Sequence, residues 1–287
     1  PERGLAEWGM GGQGKTPPHY PQTPAPRPMP PAFPPLPTLR NLRWSSGLVL
    51  WAYVALHLFN HSLGLASLAL AERWRQAQHA LLDSLPGSLL LYGAFGLHLA
   101  LALAGLWRRG SLRMPAIEAL RVLLGLSLPL LLAGHFPATR WAAELHDLPA
   151  SYARLIPALW TPQGLGLQWL LLVAAWGHGC LGLHLALRRR ALWRRWQPLL
   201  LVLAVLLPAL AAVGVLGMAR ELAWTPHTPV QQPGAAQAQA LGHRALALRY
   251  GWLLVLAALV AARLLRHLRA PRQAQVLLHF PQQTVQV

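Results

Sequence analysis

The chain has 287 residues, 54% of them hydrophobic and only 11% charged, with 25 Lys+Arg against 8 Asp+Glu and a formal net charge of +17. Soluble globular domains carry about 25% charged residues, so that class is excluded. The arginines punctuate apolar runs instead of forming one basic patch, which argues for a membrane and against nucleic acid. A single cysteine, Cys180, excludes a disulfide framework and the C-x-x-C-H attachment of a c-type haem.

Residues 1–39 form a proline-rich arm ("PPHYPQTPAPRPMPPAFPPLP"). Proline fixes φ and removes a donor, so an extended, disordered cytoplasmic arm is expected. It has no apolar stretch of the signal-peptide kind. Within it "GMGGQGKT", Gly9 to Thr16, matches the letters of a phosphate-binding loop. That loop needs a strand before it and a helix after it. Here Pro17 and Pro18 follow directly, so no nucleotide site is expected. A start at Pro1 and an abrupt end at Val287 suggest a fragment of a longer protein.

Six apolar segments follow, at 45–70, 86–107, 115–137, 165–187, 197–218 and 245–266. Each has roughly the twenty residues of a bilayer crossing, and none shows the alternation of a barrel strand. The predicted fold is an all-α membrane protein with six transmembrane helices, four of them forming a core and two more added to it, over residues 40–270. Arg40 and Arg43, Arg108, Arg109 and Arg113, Arg188–Arg190 with Arg194 and Arg195, and Arg263 and Arg266 fall on one side. The positive-inside rule makes that side, and both termini, cytoplasmic. The loop "ELHDLPASYARLIPALW", Glu144 to Trp160, suggests a short interfacial helix with Trp160 near the headgroups.

Histidines cluster in four consecutive spans: His57 and His61, His98, His135, and His178 with His184. Ionisable groups inside spans usually face the bundle interior and have a function. At about 1.5 Å per residue, His98 and His178 both lie roughly 13–14 Å from the cytoplasmic end, His57 roughly 18 Å, His61 roughly 24 Å and His135 roughly 30 Å. A b-type haem held by two imidazoles needs them level on facing helices. His98 and His178 meet that condition, and His61 with His135 meet it less closely, which predicts one or two haems in a four-helix core. His57, one turn from His61, is an alternative ligand or a propionate partner. His184 projects from another face than His178 and suits a propionate or a quinone headgroup. Gly177, Gly179 and Gly182, Gly93 and Gly96, Gly134, and Gly64 offer clearance for a flat macrocycle, or simply close helix packing. Arg121 either snorkels or neutralises a propionate. Cys180 reads as a packed thiol, and the sequon Asn60-His61-Ser62 is discounted because it lies in a span.

Three strings carry a family resemblance: "SGLVLWAYVALHLFNHSLGLASL" (Ser46 to Leu68), "LRMPAIEALRVLLGLSLPLLLAGH" (Leu112 to His135) and "WGHGCLGLHLALRRRALWRRWQPLLL" (Trp176 to Leu201). They resemble the membrane anchor of bacterial class III adenylate cyclases, a six-helix unit similar to the cytochrome b anchor of succinate dehydrogenase or fumarate reductase. The resemblance implies a haem- and quinone-linked anchor in the bacterial inner membrane, with span histidines at His57, His61, His98, His135 and His178. It also implies a homodimer, and fused or associated cytoplasmic [2Fe–2S] ferredoxin and cyclase domains. Residues 271–287, with alternating apolar positions around Pro-Gln-Gln, suit the opening of a ferredoxin-like domain. No cluster cysteines and no catalytic constellation are present, so no catalytic site is assigned to this fragment. The expected function is a redox-responsive sensor and anchor that biases cyclic AMP synthesis. The alternative is a dihaem cytochrome b subunit passing electrons between quinol and a separate oxidoreductase. A cofactor-free transporter or channel is the third reading.

Overall fold

The computed structural model describes residues 38–226 and 230–269. The proline-rich arm, the Gly9–Thr16 string and the 271–287 segment lie outside the described residues. Among those described, all regular structure is helical: α1 (Leu39–Ser62, extended by a 3-10 turn to Leu65), α2 (Leu68–Leu82), α3 (Leu85–Arg108), α4 (Ala116–Phe136, continued by a π turn at Pro137–Trp141), α5 (Ala142–His146), α6 (Tyr152–Leu159), α7 (Pro162–Leu187), α8 (Ala191–Trp224) and α9 (Ala235–Arg269). The chain is an all-α membrane protein with six helices long and apolar enough to cross a bilayer, namely Leu39–Leu65, Leu85–Arg108, Ala116–His146, Pro162–Leu187, Ala191–Trp224 and Ala235–Arg266.

Local chemistry sets where the spans begin. Thr38, Ser84 and Thr161 cap α1, α3 and α7, each side-chain oxygen accepting a backbone N–H three residues on. Proline in the first turn of α3 and α7 suits positions whose N–H would be unpaired anyway. Three helices begin earlier than hydropathy suggests. α1 starts at Leu39, α8 at Ala191 and α9 at Ala235, because arginines and other polar residues continue the helix beyond the apolar stretch. The short helix expected after Glu144 is α6, and Trp160 at its end is 48% exposed. α2 was not anticipated.

α1 packs on α3 and α8, α4 on α7 and α9, and α1 also touches α7. The closest crossing joins the end of the first span to α8. A Cβ on Gly64 would lie 2.5 Å from the Gly214 carbonyl oxygen, one on Gly217 would lie 2.8 Å from that of Gly64, and one on Gly214 would collide with the His61 carbonyl. Small residues are what allow backbones to meet like this in lipid. Gly64 therefore serves close packing on α8, the second of the two roles offered for it above.

The end of the bundle away from the arginine-rich loops is capped by α2 and α6. Tyr152 and Ile156 pack on Ala71, Met218 and Leu222. Arg154, 3% exposed, donates to the carbonyls of Pro149 (2.7 Å) and Ala138 (2.9 Å). Glu72 accepts the Tyr152 N–H at 3.2 Å and pairs with Arg75 at 2.5 Å. Glu221 accepts the Leu68 N–H at 2.7 Å, tying the start of α2 to α8.

Gly214→Leu is expected to lower stability by about 1–3 kcal/mol through overpacking. Gly242→Leu, at a position where a Cβ meets nothing within 4 Å, should leave it unchanged. Thermal unfolding of the two variants in detergent checks the difference.

Candidate functional site

A cavity of about 1650 Å³ runs between the spans and is lined by His57, His61, His98, His135 and His178. Ordinary ligand pockets hold roughly 300–1,000 Å³, so the space suits one very large guest or two.

At the arginine-rich end, α3 and α7 contribute one ring each. His98 and His178 lie with ring centres 6.1 Å apart and planes at 87°. His98 Nδ1 is 3.1 Å from the carbonyl oxygen of Arg43, and His178 Nδ1 is 2.8 Å from that of Arg121. A carbonyl only accepts, so each Nδ1 carries the proton and each neutral ring keeps a lone pair on Nε2. Four residues beyond each of these carbonyls stands a glycine. A Cβ on Gly47 would fall 2.8 Å from His98 Cε1, and one on Gly125 would fall 2.5 Å from His178 Cε1. A helical side chain covers the turn on the N-terminal side of its own Cα. Glycine at that position uncovers the carbonyl one turn back, and the carbonyl's second lone pair becomes available to an imidazole from the next helix.

At the other end, α1 and α4 contribute the rings. His57 and His135 repeat the same arrangement, with centres 6.1 Å apart and planes at 88°. Tyr53 stacks on His57 at 5.8 Å, and the Gln168 amide lies 3.4 Å from His135 Nδ1. The partner facing His135 is thus His57. His61, which the depth comparison paired with His135, instead places Nε2 3.2 Å from His57 Nε2 and Nδ1 2.8 Å from the Tyr152 hydroxyl. The reason is the early start of α1. Counted from Leu39 and Ala116, His57 and His135 lie about 27 and about 29 Å along their helices, which is level.

These contacts expose an internal repeat that the sequence reading missed. α1 carries Arg43, Gly47 and His57; α4 carries Arg121, Gly125 and His135, with identical spacings of four and ten residues. The ring that rests on each glycine comes from the following span, 55 residues after Arg43 and 57 after Arg121. The available signal was Arg-x-x-x-Gly-x9-His, occurring twice. Of the glycines singled out earlier, Gly179 meets Trp51, Gly177 meets Leu124 and Gly134 meets Arg249, while Gly93, Gly96 and Gly182 have open space where a Cβ would be, Gly182 on the cavity wall.

His184 is not among the residues lining the cavity; its ring faces Trp193 at 6.3 Å. Six residues of helix turn it away from His178, onto the different face that the spacing predicts. Arg121 does line the cavity, and its Nε is buried without a hydrogen-bond partner among the described residues. Arg43 lines it as well. Among the described residues neither has a carboxylate partner, whereas Arg109 is paired with Glu118 at 3.0 Å. At the opposite end Arg140 is bound to both Asp83 and Glu144. Cys180 is a free thiol packed beside Leu58 and Trp176, as expected, and Asn60 of the sequon is buried.

The spacing of the rings fits a metal with two axial imidazoles. Metal–imidazole bonds are about 2 Å long, so rings on opposite sides of one metal atom have centres about 6 Å apart. Both pairs have that separation, and the unpaired guanidiniums of Arg43 and Arg121 suit the carboxylates of a porphyrin.

Burial, helped by the Glu72 carboxylate, pushes the Tyr152 phenol up from its usual value. An acid held protonated in the fold stabilises it fully below about pH 10 and loses that contribution as the pH rises toward the raised value. Tyr152→Phe should cost about 0.5–1.5 kcal/mol at neutral pH, and alkaline titration should show one late-ionising phenol in the parent protein that the variant lacks. No protein-family model, curated protein or solved structure matches the chain, so its function has to be read from the side chains of this cavity.

Proposed function

We propose that the chain is a b-type cytochrome that holds two haems within the membrane, one between His98 and His178 and one between His57 and His135, and passes electrons between the two ends of the bundle. The observation that carries this reading is the repeated pair: two sets of facing imidazoles at the same separation, both lining one cavity inside the spans. A haem, when bound, supplies a one-electron carrier whose potential depends on its axial ligands, its burial and the hydrogen bonds around it.

The residues of the chain do the rest. The Arg43 and Arg121 carbonyls fix the tautomer and tilt of His98 and His178, leaving Nε2 as the only basic nitrogen of each ring. Arg43 and Arg121 supply positive charge for acidic substituents at the arginine-rich end. At the other end His57 Nε2, in contact with His61 Nε2, would be the atom that holds the second group, and His61 is tied to Tyr152. The α2 and α6 cap, with Arg154 and Glu72 bonded inside it, limits the access of water to the His57–His135 pair. Neutral imidazoles bury no unpaired charge, which matters where water cannot solvate one.

The arginine distribution supports both termini facing the cytoplasm, and the resemblance supports a bacterial inner membrane and a quinone as electron partner. A second reading adds signalling, in which the redox state of the bundle biases a downstream cytoplasmic effector, a cyclase in the family resembled. One feature of α9 favours it. Arg263, 7% exposed, donates to the carbonyls of Leu106 and Trp107 at the end of α3, and Arg266 lies 4.8 Å over the Trp107 ring. The last span is thereby bonded to the helix that presents His98.

The purified protein should be red, with split reduced-minus-oxidised bands. His98→Ala and His178→Ala should each remove one haem equivalent, His57→Ala and His135→Ala the other, and His61→Ala neither. Haem stoichiometry by pyridine haemochrome decides the matter; full retention in both His98→Ala and His178→Ala would overturn the reading.

A further inference from the structure

The glycines on which His98 and His178 rest lie ten residues before His57 on α1 and His135 on α4, about 15 Å of helix rise. Over such a gap the rate of electron exchange depends on what fills it. Electronic coupling falls steeply through empty space, less through packed aliphatic carbon, and less again through a π system with accessible orbitals. The internal repeat allows the two sides of the gap to be compared. Four residues beyond Gly125 α4 has Pro129, and four residues beyond Gly47 α1 has Trp51. One half of the repeat therefore places an indole where the other places an aliphatic ring.

Trp51 lines the cavity and lies between the levels of the two pairs, one turn past Gly47 and six residues before His57. It is in contact with α7, the helix that carries His178. A Cβ on Gly179, the residue after His178, would fall 2.6 Å from Trp51 Cδ1. Its plane is held by stacking on Trp176, with centres 5.8 Å apart and planes at 19°. Trp176 is itself pinned, donating from Nε1 to the Ala204 carbonyl at 2.7 Å. An indole stacked on Trp176 and abutting Gly179, the residue after His178, bridges from the helix of one pair toward a member of the other at a position that opens on the cavity.

We propose that Trp51 is the bridge through which the two redox sites exchange electrons, a role that rests on the two-haem reading above. One electron leaves the reduced site and arrives at the oxidised one. Trp51 neither gains nor loses an electron overall, and no proton or bond changes place. It acts through the sites it joins and is not a ligand of either.

The test uses the full haem-loaded, oxidised chain, into which a flash injects one electron from a photosensitised donor, with Trp51→Leu, Trp51→Met and Trp51→Phe. Absorption bands and midpoint potentials of both sites are recorded first, then the rate at which the electron redistributes between them after a flash. The aliphatic variants should keep both bands and both potentials and slow the redistribution by about an order of magnitude, and Phe should restore most of the rate. Redistribution at the parental rate in Leu or Met overturns the proposal. So does equal slowing in Phe and Leu, which would mark a packing effect, and so does loss of a haem from both aliphatic variants. Failure of the underlying reading looks different: the parent protein would itself lack two haems.

Discussion

A histidine buried in lipid has to satisfy one ring nitrogen before the other can be used, and in this bundle the partner is a backbone carbonyl on the neighbouring span. The carbonyls of Arg43 and Arg121 already take part in their own helices, and that of Arg43 also accepts from Ser46 Oγ at 3.2 Å, so each must be reached from the side still open. That is feasible only where no side chain covers it, and Gly47 and Gly125 provide the opening. The rest of the site follows from this contact. It brings α3 against α1 and α7 against α4, sets the protonation of His98 and His178, and points their remaining lone pairs into a shared space. A larger residue at either glycine would displace the ring, the tautomer and the helix contact together.

The repeat of this device in two helix pairs accounts for the symmetry of the interior, and the connections account for its asymmetry. The link from α1 to α3 contains α2, and the link from α4 to α7 contains a π turn, α5 and α6. Both lie at the same end and fold over it. Arg75 and Arg140 there are paired with Glu72, Asp83 and Glu144, Arg154 is held by backbone carbonyls, and the third imidazole, His61, is engaged by Tyr152. At the other end the connections are short, and the cavity-lining Arg43 and Arg121 keep their charge uncompensated among the described residues. The cavity-lining arginines without an ion pair suit an anionic guest, whereas Arg75 and Arg140, which line the cavity at the other end, are already paired. α8 and α9 complete the molecule by packing along α1 and α4, the two helices that carry the repeat.

How much could be read in advance differs from residue to residue. The spans were legible because lipid demands long apolar helices, and apolar length is written in the residues themselves. The pairing of His98 with His178 was legible because their helices begin near where hydropathy changes. His57 was harder. α1 begins at Leu39, among arginines and an asparagine, so depths counted from the apolar stretch came out too shallow and favoured His61. Gly47 and Gly125 were passed over because each lies far in sequence from the histidine it serves, while glycines beside the histidines attracted notice without clearing an imidazole. Trp51 had no sequence signal at all. Its place depends on Gly179 and Trp176, which are brought to it from another helix.

The sequence by itself determined that this is a membrane protein of six spans with imidazoles in four of them, because hydrophobic length and the cost of burying polar groups are local properties of the chain. Only the tertiary structure decided which imidazoles face each other, which carbonyls orient them and which arginines remain unpaired. Those outcomes depend on the register between helices, and register is set by contacts such as the Gly64–Gly214 crossing and the glycine-opened carbonyls, where residues more than fifty positions apart must fit within a few tenths of an ångström.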